Sequence, residues 1–403
     1  MSTYVFKAID LAGVKARGEV EADSKQAVAD QLKARGLVVL DVADKHKSKE
    51  IELAFLKRVP LPELAVFSRQ LSTMISSGMS ILRALYVLEE QTQNKFLKET
   101  IVAIRKDVEA GLALSESMAR HPKVFNQLFV AMVKAGETGG MLESSLVRVA
   151  DQMEKDASLR KQIRSAMVYP TLVISFALVV LIAMVAFVIP VFVGVFKQYG
   201  GELPTITKIS VGASNAVTHE WYAIIIGVIV LVVSFIKWKR SSWGHKQWDR
   251  FKLHIPMKIG SIVQEVALAR WSRTLASLTA AGVPLLQALE IVGKTGGNVV
   301  IEEAMADVIA SVKRGGTLSA PLGKASIFPK MVSQMVSVGE ETGALDSMLN
   351  KVAEFYEDRV DASVKALTSI LEPVMILVIG GIVGFVVISM YMPLFTVYEH
   401  IGN

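Results

Sequence analysis

The sequence predicts a mainly α-helical, polytopic membrane protein with three transmembrane helices, two homologous cytoplasmic helical bundles of about six helices each, and a small N-terminal α/β module. Three observations carry this prediction. Hydrophobic residues are 52% of the 403 and charged ones 20%, with a mean hydropathy of +0.42. Soluble domains carry a smaller apolar share, so the surplus has to be buried in lipid or in partners. Uncharged apolar runs occupy 171–196 and 373–398, with a shorter one at 221–236. The residues leading up to the first run also reappear 204 positions later, ahead of the last.

The N-terminal module is expected over 1–43. Alternation in Tyr4-Val-Phe-Lys-Ala-Ile9 predicts a strand, followed by a turn near Gly13 and a second strand around Gly18–Ala22. A helix is predicted from Ser24 to Arg35 and a strand from Leu37 to Val42. The beginning of the chain has no basic stretch followed by an apolar run, so it predicts no signal peptide and a cytoplasmic N-terminus. The charged stretch Asp44-Lys-His-Lys-Ser-Lys-Glu50 opens a linker over 44–60, read as solvated because its acidic ends interrupt the basic run.

The first bundle is expected over 61–169. Leu64, Phe67, Leu71, Met74 and Ile75 recur with helical period, and breaks fall at Gly78, Gly111, Pro122 and Gly139-Gly140. Its last helix, Met141 to Ser165, carries Leu146, Val149, Ala150 and Met153 on an apolar stripe and runs towards Pro170 at the membrane boundary. The core of the first span, Leu172 to Ile189, would rise about 27 Å. An outer-face loop follows over 197–220. The second span, 221–238, is short, but Trp221, Tyr222 and Trp238 with Lys237 and Lys239 are interfacial anchors. A cytoplasmic linker (239–264), the second bundle (265–372), the third span (373–398) and an outer-face tail (399–403) complete the chain.

Orientation follows from the basic residues. Arg160, Lys161 and Arg164 precede the first span, six bases from Lys237 to Lys252 follow the second, and only Lys197 and Lys208 lie between. The positive flanks are expected to face the cytoplasm and the C-terminus the outer side.

The repeat fixes the architecture. At a shift of 204, Phe67-Ser-Arg-Gln-Leu71 meets Trp271-Ser-Arg-Thr-Leu275, Gly78 meets Gly282, Gly111 meets Gly315, and Leu114-Ser115 meets Leu318-Ser319. Glu137-Thr138-Gly139 recurs outright as Glu341-Thr342-Gly343, after which a one-residue slip pairs Pro170 with Pro373 and Pro190 with Pro393.

Several chemistries are disfavoured. The absence of cysteine rules out disulfides and thiolate chemistry. Gly293-Lys294-Thr295 resembles the end of a phosphate loop, but Ala288 stands where that loop needs glycine, so the segment reads as a helix end and predicts no ATP hydrolysis. The six scattered histidines form no zinc motif, and no ionisable residue lies in the spans, as a proton relay or ion path would require. No cofactor, metal site or nucleic-acid partner is expected, because the bases cluster at membrane boundaries. Gly380, Gly381 and Gly384 give the last span a small-residue face for close packing, within the monomer or across a dimer.

Together these features resemble the inner-membrane platform family of type II secretion and type IV pilus assembly. The resemblance rests on Ser68-Arg69-Gln70-Leu71 with Gly78, Phe125 with Ala135-Gly136-Glu137-Thr138-Gly139, Tyr169-Pro170, Ile189-Pro190 and Leu203-Pro204-Thr205-Ile206-Thr207. In the second copy it rests on Arg273, Gly282, Phe328, Gly339-Glu340-Glu341-Thr342-Gly343 and Glu372-Pro373. Thr274 departs from the pattern where the first copy has Gln70.

The resemblance implies a non-enzymatic platform in the bacterial inner membrane. It binds a hexameric assembly or retraction ATPase, pilin or pseudopilin subunits and other inner-membrane assembly proteins, and works as a homo-oligomer in contact with membrane lipid. It couples ATP turnover to pilin extraction, with the two bundles turning as rigid bodies and carrying their membrane helices. Pilus and secretion platforms stay open at this stage, and a small transporter or receptor is the reading from another class. Arg69, Gln70, Glu137, Thr138, Gly139, Arg273, Glu341, Thr342 and Gly343 are the candidate positions for organising a bundle or its contacts. The carboxylates would cap a neighbouring helix or pair with the arginines, and contact with the motor or with a cation between protomers is the functional alternative.

Overall fold

The computed structural model describes residues 2–9, 15–22, 24–34, 36–44, 59–198, 205–256 and 258–401. The turn near Gly13, most of the 44–60 linker and Leu203-Pro204 lie outside the described residues. The chain forms two compact units, Met1–Arg58 and Val59–Asn403.

The small unit is a three-stranded sheet of order β2-β1-β3, made from β1 (Ser2–Ile9), β2 (Lys15–Ala22) and β3 (Val38–Asp44), with helix α1 (Lys25–Ala34) against it. β1 is antiparallel to both neighbours. Its alternating residues Tyr4, Phe6 and Ala8 are buried and meet Val28 and Leu32 of α1, the packing that period-2 patterning predicts.

In the large unit the first bundle comprises α2 (Leu61–Ser76), α3 (Ile81–Gln91), α4 (Lys95–Glu109), α5 (Leu114–Ala119), α6 (Gln127–Thr138) and α7 (Leu142–Ala166). After the membrane segments the second bundle repeats this order as α13 (Ile259–Ala280), α14 (Leu285–Thr295), α15 (Val299–Lys313), α16 (Ser319–Lys324), α17 (Lys330–Thr342) and α18 (Leu345–Ile401). Side-chain caps start several of these helices: Asn94 Oδ1 accepts from Leu97 N–H and Asn126 Oδ1 from Phe129 N–H. Each bundle is centred on a buried aromatic pair, Phe67 with Phe125 at 5.8 Å and Trp271 with Phe328 at 4.8 Å between ring centroids. Gly293-Lys294-Thr295 forms the last turn of α14.

The two bundles pack on one another. One continuous apolar core runs through both, from Leu64 and Phe67 to Val352 and Tyr356. α7 packs on α13 and α18, and α6 on α13 and α14. The seam also holds polar links: Ser277 Oγ donates to Gln152 Oε1 at 2.9 Å, and Arg270 lies 3.8 Å from Asp156. Sliding the bundles apart would expose that core to water, which opposes their separation.

Among the described residues, three helices are long and apolar enough to cross a membrane: Leu142–Phe192, Trp221–Arg240 and Leu345–Ser389. Each overlaps one of the three expected spans. The last helix of each bundle runs on past the proline at the membrane boundary. α7 passes through one turn at Met167 into α8 (Val168–Ala183), and α18 continues through Pro373 as a single helix of 57 residues, about 85 Å long. Pro170 sits in the first turn of α8, where its missing N–H has no intrahelical partner to lose. Pro373 gives up one backbone bond, which a long helix entering a membrane tolerates.

Beyond α8 the first span has a π turn (Met184–Val188) and then α9 (Ile189–Gln198). The segment expected as an outer loop contains α10 (Thr205–His219), the second span is α11 (Trp221–Arg240), and the expected linker contains α12 (Ser242–Leu253).

Candidate functional site

The two glutamate loops build the same device. α6 ends in Gly136-Glu137-Thr138, and Glu137 reaches back across the bundle to the start of α5. Its carboxylate accepts from Leu114 N–H at 2.6 Å and Ser115 N–H at 3.0 Å, satisfying two amides that a helix start leaves without partners. In the second copy Leu318 and Ser319 donate in the same way at 2.5 and 3.1 Å, but to Glu340. Glu341, paired with Glu137 by the identical tripeptide, is exposed and meets only the Ser337 hydroxyl, at 3.1 Å.

The repeat register is therefore corrected. The slip falls between Ser115/Ser319 and Phe125/Phe328, ahead of the glutamate loops, and the shift from there on is 203. Three features agree with it. Gly140 and Gly343 are the left-handed turn residues, at φ 67° and 71°. Gly136 and Gly339 allow the closest approach to the next helix: a Cβ would lie 2.5 Å from Ser145 Cβ in one copy and 2.9 Å from Leu345 Cα in the other. Thr342 then matches Gly139 rather than Thr138, and Leu142 and Leu345 begin the two long helices. Thr138 and Thr342 both return their hydroxyls to the helix, to Lys134 O and Val338 O.

The arginines do not pair with these glutamates. Arg69 on α2 bonds Glu154 through Nε and Nη2, both at 2.7 Å, and Asp151 at 2.5 Å, all on α7. Arg273 on α13 bonds Glu357 twice at 2.9 Å and Asn350 at 3.0 Å, all on α18. Each arginine thus ties the first helix of its bundle to the helix that continues into a membrane span. Hydrogen bonding to Arg69 holds the Glu154 carboxyl below the usual carboxylate range. Asp156, one turn from the Gln152–Ser277 link, is pushed up by burial against the opposing pull of Arg270 and Arg160. Gln70 is half-buried on α2, whereas its counterpart Thr274 is buried on α13.

A second constellation lies between the membrane spans. In the π turn, Ile189 N–H bonds Met184 O, so the Val185 carbonyl looks five residues ahead, to Pro190, which has no N–H. Ser214 on α10 supplies the donor, Oγ to Val185 O at 2.7 Å. In α18 the Ser389 carbonyl looks four residues ahead, to Pro393, and Thr207 on α10 donates to it at 2.9 Å. Ser210 and Ser389 hydroxyls meet at 2.7 Å. α10 is thus a polar strap that satisfies the carbonyls freed by the corresponding prolines of two spans. The sequence reading quoted Thr207 within the resemblance without a role and missed Ser210 and Ser214; serine and threonine spaced three and four apart beside a proline-bearing span are the signal that could have found them.

With this geometry described, comparison with known proteins becomes informative. Residues 67–190 and 271–393 each match the family model of type II secretion system protein F, and residues 1–43 match that family's N-terminal domain. The chain belongs to the type II secretion system protein F family. The two matches begin 204 residues apart and end 203 apart, consistent with a single slip inside the repeat. Among family members, the type IV pilus assembly protein PilC of Thermus thermophilus is 39% identical over 401 residues, 98% of each chain. The type IV pilus assembly protein TapC of Aeromonas hydrophila is 36% identical, covering 99% of this chain and 96% of that one. The type II secretion system protein F of Vibrio cholerae is 30% identical over 98% of each chain.

Proposed function

We propose that this family member is the inner-membrane platform of a type IV pilus assembly machine, a non-enzymatic part that converts the work of a hexameric cytoplasmic ATPase into extraction and polymerisation of pilin. One observation carries the reading: a single body made of two fused bundles continues into the membrane through the last helix of each, α18 without a break and α7 through the one turn at Met167, and α10 ties the two spans together. Torque or displacement applied to the bundles reaches both spans at once, because no loop intervenes to absorb it. The higher identity to the PilC and TapC pilus assembly proteins than to the secretion protein of Vibrio cholerae favours a pilus over a secretion machine. In this reading the N-terminus and both bundles are cytoplasmic and the C-terminus lies outside, as the basic flanks of the spans require.

The test is co-purification of the full chain in detergent with a candidate assembly ATPase from the same organism, with ATP hydrolysis followed in parallel. The expected result is co-elution with an altered hydrolysis rate. Failure to co-elute in both nucleotide-bound and nucleotide-free states, with folded protein, would count against a motor-coupled platform.

A further inference from the structure

α11 buries none of its residues, and its 20 residues rise about 30 Å, enough to span a bilayer by themselves. Its last turn carries Lys237, Lys239 and Arg240. α12 begins one residue later and folds back against that turn. Gly244 makes this possible, since a Cβ there would lie 1.9 Å from the Trp238 carbonyl oxygen. Trp248 consequently reaches Phe235, a turn deeper in α11, at 5.1 Å between centroids, and Lys239 Nζ stands 5.7 Å from the Trp248 ring. The other side of α12 is fixed to the second bundle. Buried Asp249 accepts from Val299 N–H at the start of α15, and Arg250 bonds Glu303 at 2.9 Å.

Held in this position against the basic last turn of α11, α12 leaves Trp243 and Phe251 64% and 58% exposed. Lys237, Arg240 and Lys246 are exposed beside them and make no ion pair among the described residues. Large aromatic rings of this kind are at home among headgroups, and clustered bases near the bilayer attract acidic lipid.

We infer that the α11–α12 corner binds acidic phospholipid headgroups of the cytoplasmic leaflet, with Trp243 and Phe251 inserted and Lys237, Arg240 and Lys246 facing phosphate. This rests on the proposed topology, in which the corner is cytoplasmic. Charge complementarity selects the occupant: an apolar surface alone would accept any lipid tail, whereas three unpaired cations beside it select a negative headgroup.

The test places the full chain in bilayers of phosphatidylcholine containing brominated phosphatidylglycerol or, separately, brominated phosphatidylcholine at the same fraction. Quenching of Trp243 is read as the difference between the wild type and Trp243→Phe. Brominated phosphatidylglycerol should quench more strongly. The local enrichment should fall about fivefold per base in Lys237→Gln, Arg240→Gln and Lys246→Gln combined, and should fall with rising salt. Equal quenching by the two lipids, or an enrichment unchanged in the triple variant, would overturn the inference and leave the corner as a face for another protein. Because the chain has no cysteine, Ser242→Cys labelled by an impermeant maleimide in inside-out vesicles but not in intact spheroplasts tests the topology independently. Labelling from outside would sink the topology, whereas equal quenching with inside labelling sinks the lipid site alone.

Discussion

Replacing Glu340 with alanine separates the register set by the fold from the register suggested by identity. Glu340 holds two backbone amides at the start of α16, at 2.5 and 3.1 Å, in a half-buried setting. Alanine leaves both donors without a partner in a helix of only six residues. A charge-assisted bond is worth about 1.5–3 kcal/mol and loss of a cap about 0.5–2 kcal/mol, and the two bonds share one side chain, so the expected cost is about 2–4 kcal/mol. Glu137→Ala should cost the same, since its bonds to Leu114 and Ser115 match in length. Glu341→Ala removes only a 3.1 Å contact with the Ser337 hydroxyl and should cost less than about 0.5 kcal/mol. The assay is thermal unfolding of the full chain in detergent, followed by intrinsic fluorescence. With about 1.4 °C per kcal/mol for a unit of this size, the first two variants should melt roughly 3–6 °C lower and the third should be unchanged. A large loss in Glu341→Ala together with a silent Glu340→Ala would refute the register. In cells, Glu137→Ala combined with Glu340→Ala should reduce pilus number; normal piliation at wild-type protein levels would remove these loops from the assembly function.

Other expectations concern neighbouring parts of the same framework. Gly136→Ala and Gly339→Ala should each destabilise by about 1–3 kcal/mol, seen in the same melts, because the new methyl meets Ser145 or the Leu345 backbone. A double-mutant cycle on Arg273 and Glu357, whose side chains are 14% and 21% exposed, should return a larger coupling than one on Arg69 and Glu154 at 37% and 46%, where solvent screens the pair. Two of the acidic groups of α7, Glu154 and Asp156, predict opposite pH responses. Glu154, with a lowered pKa, stabilises at neutral pH and loses that contribution as pH falls through its folded value, so the advantage of wild type over Glu154→Gln should shrink on acidification. Asp156, with a raised pKa, binds its proton more tightly when folded, so wild type should gain on Asp156→Asn as pH falls towards the ordinary aspartate range; melts across pH 4 to 7 check both signs. Ser214→Ala leaves the Val185 carbonyl unpaired beside Pro190 and should cost about 1–3 kcal/mol, with Ser214→Thr retaining most of the stability.

Much of this protein follows from sequence because the governing signals are local or periodic. Uncharged runs long enough for a bilayer locate the three spans, period-3.6 stripes give the bundle helices, and alternation in Tyr4–Ile9 gives the first strand. Duplication gives the architecture without any knowledge of contacts. The candidate arginines and glutamate loops were also visible, since charged residues and glycines recur at matched positions in both copies. What the sequence left undecided was partnership across distance. Identity of three residues aligned Glu137 with Glu341, yet an amide at the start of a helix selects the carboxylate that reaches it, and a one-residue slip elsewhere makes that Glu340. The arginines found acids 82 to 85 residues away on the long helices instead of the nearby loops. The shared core of the bundles and the strap of α10 across Pro190 and Pro393 are likewise tertiary facts. Burial of apolar surface is additive along a chain and can be read from it, whereas a hydrogen bond needs two groups within about 3 Å, and only the folded chain sets that distance.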